Sequence, residues 1–137
     1  MGLQYKKSQR LFLWAVAIHS LLVGLCLILA TNDIRILFGF KPSGENFFQT
    51  QGGVFHIVMA SAYALAAYDP KKFESLIFLT FLVKLFASIF LFLYYIIGSH
   101  NWLIFVSGVI DLFICLTVYT FIGKAGIINF LKSNRNE

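Results

Sequence analysis

The chain has 137 residues, 59% of them hydrophobic and only 12% charged, whereas a soluble domain carries about 25% charged residues. Its formal net charge of +5 is gathered in short clusters at the ends of apolar runs, not along a polar face, which argues against a nucleic-acid surface and reads as membrane topology. Roughly 20 apolar residues are needed to cross ~30 Å of hydrocarbon, so the length predicts one domain of four crossings with no separate soluble domain.

The first predicted span runs from Leu11 to Ala30, behind Lys6, Lys7 and Arg10. Its apolar stretch exceeds the roughly 7–15 residues of a signal-peptide core and no small-x-small cleavage site follows, which predicts a retained helix. The connection from Thr31 to Thr50 is the one long loop. Its Ile34, Ile36, Leu37, Phe38 and Phe40 are too apolar for a solvated linker and predict an interfacial or re-entrant segment capping the bundle.

A second span, Gln51 to Tyr68, is richer in Ala and Gly and stops at Asp69-Pro70, where the proline cannot continue the helix. The third, Ser75 to Ile97, and the fourth, Trp102 to Gly123, are separated only by Gly98, Ser99, His100 and Asn101 and must form an antiparallel hairpin. Beyond Lys124, Ile127, Ile128, Phe130 and Leu131 alternate with Lys132 and Arg135 in a basic amphipathic pattern suited to the headgroup layer. The fold class predicted is all-α, an integral membrane four-helix bundle running up-down-up-down.

Orientation follows from the cations. Lys6, Lys7, Arg10, Lys71, Lys72, Lys124, Lys132 and Arg135 fall on one side and only Arg35 and Lys41 on the other, which places both termini in the cytoplasm of a multi-pass protein. Trp14, Trp102, Tyr68, Tyr94 and Tyr95 lie near span ends as an aromatic belt requires. Cys26 and Cys115 occupy different spans at unlike depths without a CxxC, and read as packed core thiols, not as a redox pair or zinc site.

Polar groups within the spans carry the functional information, because an ionisable side chain at mid-bilayer costs at least ~2.5–3.5 kcal/mol and persists mainly when paired or used. His19, Lys84 and Asp111 are the clear cases. Counting ~1.5 Å per residue from opposite span ends puts Lys84 and Asp111 each about 14 Å deep, at nearly one level of a ~30 Å slab. The tight turn between their helices allows them to meet and neutralise. Thr80, Lys84 and Ser88 on one helix and Ser107, Asp111 and Cys115 on the next each recur at four-residue spacing, a stripe along one face.

On the second span Gly52, His56, Ala60, Tyr63 and Ala67 share a face, and small residues there permit close helix approach. Tyr63 reaches about the depth of His19, whereas His56 sits nearer the far side, close to Gln49 and Gln51. A depth difference of roughly 10 Å between His19 and His56 speaks against a haem shared by both, which needs imidazoles on opposite faces of one porphyrin. The sequence contains no HExxH, P-loop, nucleophile elbow or nucleotide fingerprint, and it assigns no catalytic residue, no metal ligand and no cofactor.

Size, four spans, cytoplasmic termini and the stretch FGFKPSGENFFQTQGGVFHIVMASAYALAAYDP, a loop leading into a Gly-rich second helix, together resemble the architecture of the DoxX-like small four-helix bacterial membrane proteins. Some members of that group are linked to quinone-dependent oxidoreductase complexes, so the resemblance implies an accessory or quinone-proximal role. Two classes of function stay open. One is a non-enzymatic subunit or binder of a lipid, quinone or isoprenoid, held by the Lys84–Asp111 pair with His19, Gln51, His56 and Tyr63, its partners the bilayer, a hydrophobic small molecule and other membrane subunits. The other is a proton-coupled transporter or membrane oxidoreductase component using His19, Lys84 and Asp111 as a relay.

Overall fold

The computed structural model describes residues 7–133, with side chains as far as Gly123. Every regular element among them is a helix: α1 (Lys7–Leu29), the short α2 (Asn32–Leu37), α3 (Phe47–Tyr68), α4 (Glu74–Ile97) and α5 (Trp102–Ser133). Inside α5 the helix is broken at Gly123, whose φ of 65° and ψ of 163° are open to a residue without a Cβ. The amphipathic pattern expected after Lys124, and the cations Lys6, Lys124, Lys132 and Arg135, lie outside the described side chains.

Three helices, Lys7–Leu29, Glu74–Ile97 and Trp102–Gly123, are long and apolar enough to cross a membrane. With 22 residues α3 spans about 33 Å, but its Gln, Gly, His, Ser and Ala content keeps it less apolar than the others. Much of the outer surface is hydrophobic: Leu22, Phe86, Phe90, Phe113 and Leu116 are all more than half exposed, far beyond the scattered apolar residues of a water-facing surface.

The helices associate as two antiparallel pairs, α1 with α3 and α4 with α5. Along the first pair, Arg10 meets Ala67 and Tyr68, Ser20 meets His56 and Gly24 meets Gly53. The register of the second is read from Phe81 with Cys115, Lys84 with Asp111 and Phe92 with Phe105. One core joins the pairs at the end carrying Arg10 and Tyr68, built from Leu13, Val16, Tyr63, Ile77, Ile114 and Val118 among others. Arg10 donates to the carbonyls of Ala67 and Tyr68 at 3.2 and 2.8 Å, capping acceptors that the end of α3 leaves open. Asp69 accepts from the amide of Lys72 at 3.2 Å and holds the turn that Pro70 begins.

At the opposite end α2 is fastened to the first pair. Asn32 and Ser43 exchange two hydrogen bonds, Arg35 donates to the Gln49 side-chain carbonyl, and Gln49 donates to the carbonyls of Leu27 and Ala30 at 2.7 and 3.2 Å, closing the end of α1. Asn101 then links this assembly to the second pair. Its side-chain oxygen accepts from the Leu103 amide at 2.8 Å, capping α5, and its amide nitrogen donates to the Phe38 carbonyl at 2.9 Å. Gly39, at φ 80°, lets the chain turn beneath that amide, which stands 3.2 Å from where a Cβ would be. Asn101→Ala removes both bonds. The cap alone is worth about 0.5–2 kcal/mol, and hydrogen exchange of residues 32–40 is expected to accelerate while that of α1 stays unchanged; equal protection of residues 32–40 in both proteins would show that Asn101 does not tie them down.

Two sequence expectations change here. Cys26 is exposed on the outer face of α1 and only Cys115 is buried, both as free thiols, because the inward stripe of α1 runs through Ser20 and Gly24. The 10 Å offset between His19 and His56 is also absent. Arg10 and Ala67 stand at one level, and counting 1.5 Å per residue from there brings the two histidines within about 3 Å of each other in depth. The estimate failed because both helices begin four residues before the apolar runs from which depth was counted. Depth therefore does not separate the imidazoles.

Candidate functional site

Between the core end and the Asn101 link, α3 and α4 part and leave a cleft of about 190 Å³. Its walls are His56, Met59 and Tyr63 from α3, Val83, Lys84, Ala87, Phe90 and Leu91 from α4, and Asp111 from α5. A wider bowl of about 440 Å³, lined by Arg10, Tyr68, Asp69, Pro70 and Lys71, opens at the polar end. It is a surface depression whose arginine is already spent on the α3 carbonyls, so the inner cleft is the stronger candidate.

The cleft is built around the ion pair expected from the sequence. Lys84 Nζ lies 2.6 Å from Asp111 Oδ1, with the two residues 2% and 7% exposed. Both polar stripes face inward at this level: Thr80, Ser88 and Cys115 are buried. Thr80 and Ser88 satisfy their hydroxyls on the carbonyls of Leu76 and Leu85 within α4, at 2.7 and 2.9 Å, and Cys115 Sγ lies 3.8 Å from the Phe81 carbonyl. These side chains smooth the contact and add no free polar group. The charge pair, with the ammonium 6.0 Å from the Tyr63 ring centroid, is the polar centre.

Tyr63 is 2% exposed. Its hydroxyl has no hydrogen-bond partner among the described residues, and the residue lines the cleft. A buried phenol ordinarily finds a partner. Beside it, His56 is half-buried and held from behind by Ser20 of α1, whose Oγ lies 3.0 Å from the His56 carbonyl and 3.3 Å from its Nδ1.

Of the residues singled out from the sequence, Lys84, Asp111, His56 and Tyr63 come together around one space. His19 is half-buried next to Ser20 but does not line the cleft, and no hydrogen bond joins it to either charge among the described residues. Gln51 is exposed on the first turn of α3, away from the cleft; the nearby amide with a structural task is Gln49. Sequence reasoning passed over Met59, Val83, Ala87, Phe90 and Leu91, the apolar walls, which no local signal distinguishes from any other membrane helix. Ser20 was not singled out either, although its spacing of four from Gly24 on a small-residue face is readable.

Chemically the cleft holds fixed opposite charges, a phenol and an imidazole, with apolar walls on either side. No group of three or more His, Cys, Asp or Glu side chains able to hold a metal occurs among the described residues. Comparison of the chain with family models, with curated proteins and with solved structures gave no match.

Proposed function

We propose that this chain is a multi-pass integral membrane protein, an up-down-up-down bundle of α1, α3, α4 and α5, whose cleft receives the polar end of a small hydrophobic molecule. In this reading α3 is the fourth span, less apolar because its inward face lines the cleft and packs closely on α1. The cations near Arg10 and Lys71 put both termini on the cytoplasmic side, and the exposed Ile36, Leu37, Phe47 and Phe48 set the α2 segment into the opposite headgroup layer.

The observation that carries the proposal is the Tyr63 hydroxyl, unpartnered among the described residues, beside a buried ion pair in an open, apolar-walled space. Apolar walls with a few convergent polar groups are what a ligand site requires. The volume is below the roughly 300–1,000 Å³ that encloses a drug-sized ligand. The cleft thus takes a head and leaves the tail among acyl chains. An accessory role in a larger complex, which the DoxX-like architecture implies, fits the same reading.

Ala87 provides the test. It lines the cleft without touching the ion pair through any hydrogen bond, so Ala87→Phe fills the space and spares the charges. Mass spectrometry of the purified full-length protein is expected to detect a hydrophobic small molecule on the wild type, with occupancy falling at least ~10-fold in Ala87→Phe, equivalent to about 1.4 kcal/mol, and thermal stability unchanged. A wild-type protein that carries nothing extractable, or equal occupancy in the variant, would count against the binder. Proton flux in liposomes that depends on Lys84 and Asp111 would replace it with the relay.

A further inference from the structure

Resting on the cleft being a ligand site, we infer that it selects an uncharged head bearing a hydroxyl or carbonyl, as in a long-chain alcohol or a neutral glycerolipid, against a carboxylate or phosphate. Charge is the first ground. Lys84 and Asp111, 2.6 Å apart, sum to zero whichever of them holds the shared proton, and no other Lys, Arg, Asp or Glu lines the space. An anionic head would have to displace Asp111 from its ammonium or remain uncompensated at a depth where charge is costly. A neutral head requires neither.

Hydrogen bonding is the second ground. Ser20 has one hydroxyl proton, and it donates to the His56 carbonyl at 3.0 Å. Toward His56 Nδ1, at 3.3 Å, the same oxygen therefore accepts, so a neutral imidazole carries its proton on Nδ1 and keeps Nε2 as an acceptor. Tyr63 contributes a hydroxyl without a partner among the described residues, and Lys84 uses one of its three N–H groups on Asp111. Residues that carry donors and an acceptor thus line one space, the complement of a group that both accepts and donates. A hydroxyl does both, and a carbonyl uses the donors alone.

Size is the third. About 190 Å³ is below the volume that encloses a drug-sized ligand, so the space takes a small head such as a hydroxyl or glycerol unit and leaves the chain outside. Phe90, on the wall and 62% exposed, marks where the tail leaves toward the outer surface.

Oleyl alcohol and oleate test this directly, since they share one chain length and differ in the charge of the head. Equilibrium binding to the detergent-purified full chain, measured against empty micelles with the oleate ionised, is expected to favour the alcohol by ~10-fold or more. Asp111→Asn leaves the ammonium uncompensated and is expected to reverse the preference. Tyr63→Phe keeps the fold and the charges, and is expected to weaken the alcohol ~5-fold or more while leaving oleate unchanged. Oleate binding the wild type as tightly as the alcohol overturns the selectivity and leaves the binder standing. Neither probe binding overturns the selectivity too, and if Ala87→Phe also leaves an extracted molecule in place, the binder falls with it. Should Asp111→Asn fail to fold, the Tyr63→Phe comparison decides alone.

Discussion

Replacing Lys84 with Met is expected to cost about 3–5 kcal/mol of stability, whereas replacing Lys84 and Asp111 together with Leu and Ile is expected to recover most of that loss. The asymmetry follows from where the charges sit. Their side chains are 3% and 10% exposed and 2.6 Å apart, so truncating one leaves the other without water or counter-charge. Removing both takes away the attraction and the desolvation cost together, and in apolar surroundings the double variant loses little. Reversible unfolding in mixed micelles, followed by helix content, measures both. A single variant as stable as the wild type would mean that Asp111 is solvated in the native protein, and the polar centre assigned to the cleft would have to be given up. The double variant also separates structure from function: it is expected to stay folded and to lose the ligand.

The second large effect concerns the α1–α3 crossing. Changing glycine to alanine inside a helix ordinarily gains about 1 kcal/mol, yet Gly53→Ala is expected to destabilise by about 1–3 kcal/mol through overpacking. A Cβ at Gly53 would stand 2.6 Å from Ile28 Cγ1 and 2.7 Å from the Gly24 carbonyl oxygen, and one at Gly24 would meet the Gly53 carbonyl at 2.7 Å. Ile28 Cγ1 is bonded to a branched Cβ that turns little in a helix, and the carbonyls belong to helix backbone and cannot yield without parting α1 from α3. Gly52→Ala is the internal control. Its added carbon would meet only Leu27 Cδ1, at 4.0 Å, so this variant is expected to be neutral or slightly more stable. If the two alanine variants unfold alike, the close crossing is not what joins this pair.

That contrast shows where sequence reading reached its limit. Small residues on the second span announced close approach, but adjacent glycines lie 100° apart on a helix, and only the partner's register decides that Gly53 is the contact. Lys84 and Asp111 were legible because a four-residue turn fixes the register of their hairpin, so counting from both ends gave one depth. The same counting failed for His19 and His56, whose helices are joined through residues 30–46, a stretch too long to fix register by itself. Gln51 looked like the ligand-side amide for want of that register, whereas Gln49 is turned onto the end of α1. Asn101 gave almost no signal, since an asparagine in a tight turn is explained locally by its cap and nothing nearby in sequence points to Phe38. Helix boundaries agree with the expected ones to within a few residues because apolar length, Pro70 and Gly98 are local determinants.

The way the two helix pairs are joined has a mechanical consequence. They share a packed core at one end, and at the other one side-chain amide, with the Phe38 ring tilted against Trp102 at a centroid distance of 6.3 Å. Swinging one pair about the packed end like the arm of a nutcracker enlarges the gap while every bond inside each pair stays intact. Asn101 supplies the hydrogen bond that opposes that swing, so if the cleft takes a guest as proposed, Asn101→Ala is expected to speed its exchange from a position outside the cleft lining.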